Sequence, residues 1–206
     1  MAIRLGPPDA TEAISPIDGN EALETWLSDE RLTAQWTLGA DSASLNQLQA
    51  LRADGRISSV RLHDTQEARV PLVDWIYGEA LRWLSDEGIP LWLSVANNDV
   101  EHVMALLRGY SQLDVVLLGA HYTHASVVRG VLNQLPRASL ELSRYEVLGE
   151  VEKLVGEFGA ERLIYGSYYP RYAMGPMLYY MHRIGLSEAE LALVCGGNVR
   201  RLLREE

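Results

Sequence analysis

The sequence predicts an α/β domain: a parallel sheet of six strands with helices on its outside. Three observations predict it. Short apolar runs alternate with longer segments of helical spacing, roughly every 25–30 residues, as in repeated right-handed βαβ units. The run over residues 113–119 is nearly all apolar, as a strand covered by helices on both faces should be. Gly55, Gly88 and Gly159 stand just past three helical stretches, where a left-handed residue ends a helix at low cost. With 206 residues, 48% of them hydrophobic, the chain suffices for one globular domain with a real core.

Taken in order, residues 1–18 carry Pro7, Pro8 and Pro16 with little periodicity, and are expected to form an irregular arm. Ala22, Leu23, Trp26 and Leu27 set a helix over 20–27. Residues 32–38 alternate apolar and polar with β-branched and aromatic content, which predicts the first strand. Leu45, Leu48 and Leu51 mark a helix over 42–53. The second strand is expected over 57–63. A long helix over 71–87 carries Leu72, Trp75, Ile76, Leu81 and Leu84. Strands then fall over 89–96, 113–119, 138–143 and 163–165, with helices between them over 100–107, 125–135 and 145–158. In the last helix Val147, Leu148, Val151, Leu154 and Val155 face inward. Pro170 is expected to stop strand pairing. Three helices close the chain, over 174–184, 188–195 and 199–204. Ser187 and Glu190 form a capping box for the second of these, and Gly196-Gly197-Asn198 reads as C-cap then N-cap.

A net charge of −10 argues against nucleic acid and against an anionic membrane surface. No apolar run approaches the ~18 residues of a membrane span. The N-terminus lacks the apolar core of a signal peptide. The one cysteine, Cys195, cannot form an internal disulfide, which fits a cytoplasmic location, and its apolar surroundings predict a buried, inert thiol.

Two segments carry a resemblance. Residues 158–170 read Phe-Gly-Ala-Glu-Arg-Leu-Ile-Tyr-Gly-Ser-Tyr-Tyr-Pro, and 197–203 read Gly-Asn-Val-Arg-Arg-Leu-Leu. They resemble the end of the amidohydrolase-related family of metal-dependent hydrolases and decarboxylases, "fGaeRllfGSDyP" and "gNarRLL". The likeness covers roughly the last two-thirds of the chain. It implies a TIM (β/α) barrel, which in full has eight strands and about 250 residues. Residues 32–38 align with the third family strand, so the first two βα units have no counterpart. The expectation is a partial barrel. Its gap is filled by residues 1–18 or by another subunit, or it stays open with two exposed edges. A shortened gene product is the alternative explanation.

The resemblance also implies one or two divalent metals, whose bound water an Asp orients or deprotonates. The ligand positions are altered. The family's His-x-His has no counterpart. The fifth-strand His falls on Ser94, the sixth-strand His on Gly119, and the metal-binding Asp on Tyr168. No cofactor is therefore expected, unless His63, His121 and His124 rebuild a zinc site. Candidate catalytic residues are His63, Asp64 (orienting the His63 ring) and Tyr168. Candidate substrate-binding residues are Arg61, which shares a strand face with His63, together with Ser94, His121, His124, Arg144 and Tyr169. Arg144 either meets an anionic substrate or pairs with Glu141 or Glu146. The tyrosines after Gly166 form an aromatic lip or a subunit interface. Asn97-Asn98-Asp99 reads as an N-cap, and His102 and His182 as surface or packing residues. Three readings follow. The chain is a degenerate relative that binds a small ligand or partner, an active hydrolase or decarboxylase with a rebuilt site, or a non-catalytic subunit that assembles with itself through the open side of the barrel.

Overall fold

The computed structural model describes residues 3–5, 15–27, 32–65, 69–169 and 171–204. Pro170 and most of the N-terminal arm lie outside these residues. The fold is α/β. Strands β1 (Ile3–Leu5) and β2 (Leu32–Ala34) pair with each other. Six more make one sheet, in the order of the chain: β3 (Trp36–Leu38), β4 (Val60–Leu62), β5 (Leu91–Ser94), β6 (Val115–Leu118), β7 (Ala138–Glu141) and β8 (Leu163–Ile164). The strands are parallel, six in place of the eight of a full barrel. The chain divides into two compact units, Met1–Val115 and Val116–Glu206.

In the first unit the strand expected over 32–38 is interrupted at Gln35. Its first half pairs with β1 and its second half with β4. Part of the arm expected to be irregular is therefore ordered: Ile3–Leu5 is a strand, and α1 begins at Pro16 (Pro16–Glu24). The helix starts earlier than its apolar pattern because the Ser15 hydroxyl accepts the N–H of Ile17 at 3.2 Å, with Pro16 in the first turn. Helix α2 (Ser42–Ala53) buries Leu45, Leu48 and Leu51, and Asp41 caps it through the Ser44 N–H at 2.8 Å. Helix α3 (Asp74–Glu87) ends at left-handed Gly88, φ 61°. It buries Tyr77, Leu81 and Leu84 and leaves Trp75 81% exposed. Helix α4 (Val100–Leu107) is capped by Asp99.

The register fixes two faces. Trp36, Val60 and Leu91 form one apolar row, and Thr37, Arg61 and Trp92 form a row on the opposite face. The Trp36 indole N–H donates to the carbonyl of Arg56 at 3.0 Å, so the apolar face looks toward the chain leaving α2. On the side of β3 away from β4, Asn20 of α1 takes the place of a strand. Its Oδ1 accepts the Thr37 N–H at 2.8 Å and its Nδ2 donates to the Thr37 carbonyl at 2.9 Å. Nδ2 also donates to Oε1 of Gln47 at 2.9 Å.

The second unit holds α5 (Ala125–Gln134), α6 (Glu150–Phe158), α7 (Met174–Met181), α8 (Glu188–Ala192) and α9 (Asn198–Leu203). The expected helix over 145–158 begins only at Glu150, because left-handed Gly149 (φ 70°) precedes it, and Leu148 is exposed. The Ser187–Glu190 capping box is present. Gly196-Gly197-Asn198 does not cap two helices. A π-helical turn, Leu193–Gly197, joins α8 to α9, and Cys195 within it is exposed rather than buried. Asn198 is fully buried, and its Nδ2 donates to the carbonyls of Ala160 and Leu163 at 2.8 Å each. The Tyr165 N–H donates to the Val194 carbonyl at 2.8 Å. The outer edge of β8 is satisfied in this way.

Replacing Asn20 with Leu keeps its bulk but strands a buried N–H and C=O at Thr37. At about 1–3 kcal/mol for each of the two unsatisfied groups, a loss of about 2–6 kcal/mol is expected by urea denaturation. Gln47→Ala, which leaves both bonds of Asn20 to Thr37 and removes its bond to Gln47 with the long 3.4 Å bond from Gln47 to the Ile17 carbonyl, should cost about 1 kcal/mol. Equal losses for the two variants would mean that water reaches this edge.

Candidate functional site

In the first unit the chain leaves β4 as Arg61-Leu62-His63-Asp64-Thr65. Leu62 is buried while Arg61 and His63 are half-buried, as the alternation requires. The Asp64 carboxylate does not orient His63. Its Oδ2 accepts from Asn97 Nδ2 at 2.7 Å and lies 3.8 Å from Arg61 Nη2. Asp64 is 4% exposed, and its Oδ1 has no hydrogen-bond partner among the described residues. The end of β5 supplies the rest of this network. Ser94 Oγ accepts the Asn97 N–H at 3.2 Å, and Asn98 Nδ2 donates to the Ser94 carbonyl at 2.6 Å. Asn98 Oδ1 accepts from the Thr65 hydroxyl at 2.5 Å. Of the predicted cap, then, only Asp99 caps α4, while Asn97 and Asn98 tie two strand ends together.

In the second unit three groups stand beyond strand ends. His121 and His124 flank a 3₁₀ turn after β6, their ring centres 4.5 Å apart and edge to face. The His121 N–H donates to His124 Nδ1 at 3.3 Å, which places the proton of a neutral His124 on Nε2. Burial lowers the His124 pKa, and the charge of His121 adds to this. Glu141 ends β7 buried, and its carboxylate accepts the Ser143 N–H at 3.1 Å and the Ser143 hydroxyl at 2.7 Å. This carboxylate lies against Gly166, where an added Cβ would sit 1.3 Å from Oε1.

The third group is Arg144, Tyr168 and Tyr172. The Arg144 guanidinium carbon lies 5.7 Å from the ring centre of Tyr168 and 5.5 Å from that of Tyr172. The two rings are 5.4 Å apart. Arg144 makes neither of its expected ion pairs with Glu141 or Glu146 among the described residues. Tyr168 is held left-handed at φ 56°, a strained conformation for a non-glycine residue, and its carbonyl accepts the Tyr172 N–H at 3.1 Å. Tyr169 and Tyr172 are about half exposed. Tyr172 is one of the tyrosines after Gly166 expected to form an aromatic lip or a subunit interface; its contact with Arg144 was not foreseen.

No family model matches the chain, and no curated protein matches it. Solved structures do. An uncharacterized TIM-barrel protein from Bordetella bronchiseptica aligns at TM-score 0.74 and 20% identity, over 93% of this chain and 72% of that one. 5-Carboxyvanillate decarboxylase from Sphingomonas paucimobilis aligns at 0.70 and 12%, over 98% and 78%. Amidohydrolase 2 from Bifidobacterium longum subsp. infantis aligns at 0.64 and 12%, over 94% and 77%. These likenesses show a fold of the TIM-barrel type.

The resemblance of the two C-terminal segments implies a bound metal, and the residues at the implied ligand positions do not fit one. Ser94 Oγ is engaged by the Asn97 N–H. Gly119 offers no side chain and turns the chain at φ 68°. Tyr168 stacks beside Tyr172 and Arg144. Among the described residues of each unit no three His, Cys, Asp or Glu side chains gather as a metal would need. A concavity of about 560 Å³ lies elsewhere, between α3 and α4, lined by Asp74, Arg82, Asp86, Tyr110 and Gln112. Its hydrogen bonds are internal to the packing. Tyr110 donates to Asp74, and burial followed by that bond pushes its pKa up to about 12.

Gly166→Ala should drive the Glu141 carboxylate off Ser143 and cost about 1–3 kcal/mol in thermal or urea unfolding; an unchanged stability would mean that Glu141 moves freely. By NMR titration, His124 should titrate below the ordinary histidine value of 6.5. Folding then favours its neutral ring. That contribution is present above pH 6.5 and is lost as the pH falls through the lowered folded value. His121→Gln should raise the His124 value only in part, because burial is the larger cause.

Proposed function

We propose that this chain is a ligand-binding relative of the metal-dependent hydrolases and decarboxylases, and that it holds a small aromatic carboxylate against Arg144. The observation that carries this reading is the Arg144 guanidinium set against two tyrosine rings with no carboxylate partner among the described residues. Stacking orients a planar guanidinium and leaves its edge N–H groups for a bidentate carboxylate. The tyrosines supply the apolar surface an aromatic ring needs. The substrate named for the decarboxylase neighbour, 5-carboxyvanillate, is itself an aromatic carboxylate and supports this ligand class.

The altered ligand positions support binding over metal-assisted hydrolysis or decarboxylation. A second reading, self-assembly, rests on the exposed Leu148, Tyr169 and Tyr179 of the second unit. Sedimentation separates the two: a monomer leaves ligand binding alone.

Calorimetric titration with benzoate-type carboxylates and their primary amides tests the main reading. Carboxylates should bind and the amides should not. A charge-assisted hydrogen bond contributes about 1.5–3 kcal/mol, so Arg144→Gln should weaken binding about 10–100-fold, and Arg144→Lys less. Equal binding by the variant would place the ligand elsewhere. A stoichiometric bound metal, with turnover that depends on it, would replace this reading by the active-enzyme one.

A further inference from the structure

Three buried polar groups of the first unit have no hydrogen-bond partner among the described residues: the Thr37 hydroxyl, the Trp92 indole N–H and Oδ1 of Asp64. Their residues are 1%, 6% and 4% exposed. Unpartnered groups this deep are rare, and each needs an explanation. These three are not scattered. Thr37, Arg61 and Trp92 are register partners on β3, β4 and β5, so their side chains leave one face of the sheet side by side. At the usual strand spacing the row is about 10 Å long. Asp64 joins it through Arg61, with Oδ2 3.8 Å from Nη2. That contact is long, so most of the donors of Arg61 remain free for another group.

The inventory selects a ligand. The guanidinium and indole are donors only, the threonine hydroxyl donates or accepts, and one carboxylate oxygen accepts. A matching molecule is rich in acceptors at one end and carries one hydroxyl donor beside it. The nearness of Asp64 to Arg61 calls for the hydroxyl close beside the acceptor end, as on the neighbouring carbon of a 2-hydroxy acid. We infer that the row Thr37–Arg61–Trp92, with Asp64, binds a small 2-hydroxy carboxylate. The carboxylate lies on Arg61 and the Trp92 N–H, and the hydroxyl donates to Asp64 Oδ1. Asn97 holds the other oxygen of Asp64 and so aims Oδ1. The site belongs to the first unit and does not depend on the Arg144 reading.

The Trp92 indole N–H resonance of ¹⁵N-labelled protein, assigned with Trp92→Phe, reads the site directly. Glycolate and lactate are titrated against acetate and propionate, which lack the hydroxyl. The hydroxy acids should shift the resonance at concentrations about tenfold lower than the simple acids do. Asp64→Asn should erase that preference. Thr37→Val keeps the side-chain shape, so it carries the test if the Asp64 variant fails to fold. It should raise the melting temperature of the ligand-free protein and weaken hydroxy-acid binding. A Trp92 resonance indifferent to all four acids means that ordered water alone satisfies the row, and overturns the inference. Equal responses to glycolate and acetate, or a preference that survives Asp64→Asn, also overturn it.

Discussion

The strand at either end of an open parallel sheet leaves every second N–H and C=O without a neighbour, and this fold depends on how those groups are satisfied. A buried asparagine serves at each end. Asn20 offers the Thr37 backbone one donor and one acceptor, as a neighbouring peptide unit would. At β8 the need is split. Asn198 donates to two carbonyls, and the Tyr165 N–H goes to the carbonyl of Val194. That carbonyl is available because Leu193–Gly197 is a π turn, in which one carbonyl is released from the helical ladder. The arrangement has a residual cost, since Asn198 Oδ1 stays buried without a partner among the described residues.

With β3 held in register by Asn20, the alternation of side chains does the rest. One face carries Trp36, Val60 and Leu91, all nearly fully buried. The other carries Thr37, Arg61 and Trp92. A slip of one residue at β3 would turn Thr37 into the apolar face and Trp36 into the polar one. The unpartnered hydroxyl and indole N–H are therefore consequences of a register that the edge asparagine protects.

Most of the fold was legible because it rests on periodicity and glycine. The strand and helix order, Gly88 at the end of α3 and the Ser187–Glu190 box all follow from local pattern. The C-terminal likeness was legible for a related reason: its residues serve the backbone. Arg162 donates to the carbonyls of Leu132 and Leu135 at 3.2 and 2.9 Å, and Asn198 closes β8. What escaped the sequence was set by distant partners. Nothing local distinguishes Asn20, 17 residues from Thr37, from a helix-surface amide. Arg61 and Asp64 were singled out, but the partner of Asp64 proved to be Asn97, 33 residues away, and not the adjacent His63. Leu148 was misplaced because an apolar residue fits a helical pattern whether or not a neighbour covers it.

Position 168 shows how a single residue redirects a site. An aspartate tolerates the left-handed backbone there far better than a tyrosine, since Asp and Asn populate that region several-fold more often. The tyrosine keeps φ at 56° at a cost that the Tyr172 N–H bond helps to offset. The chemical effect is larger. A carboxylate at 168 would stand beside Arg144 and compensate its charge. A phenol ring cannot; it offers its face, and Tyr172 offers a second. On the proposed reading, a tyrosine where the resemblance implies an aspartate also leaves the Arg144 guanidinium for an outside anion, so both effects would come from one side chain.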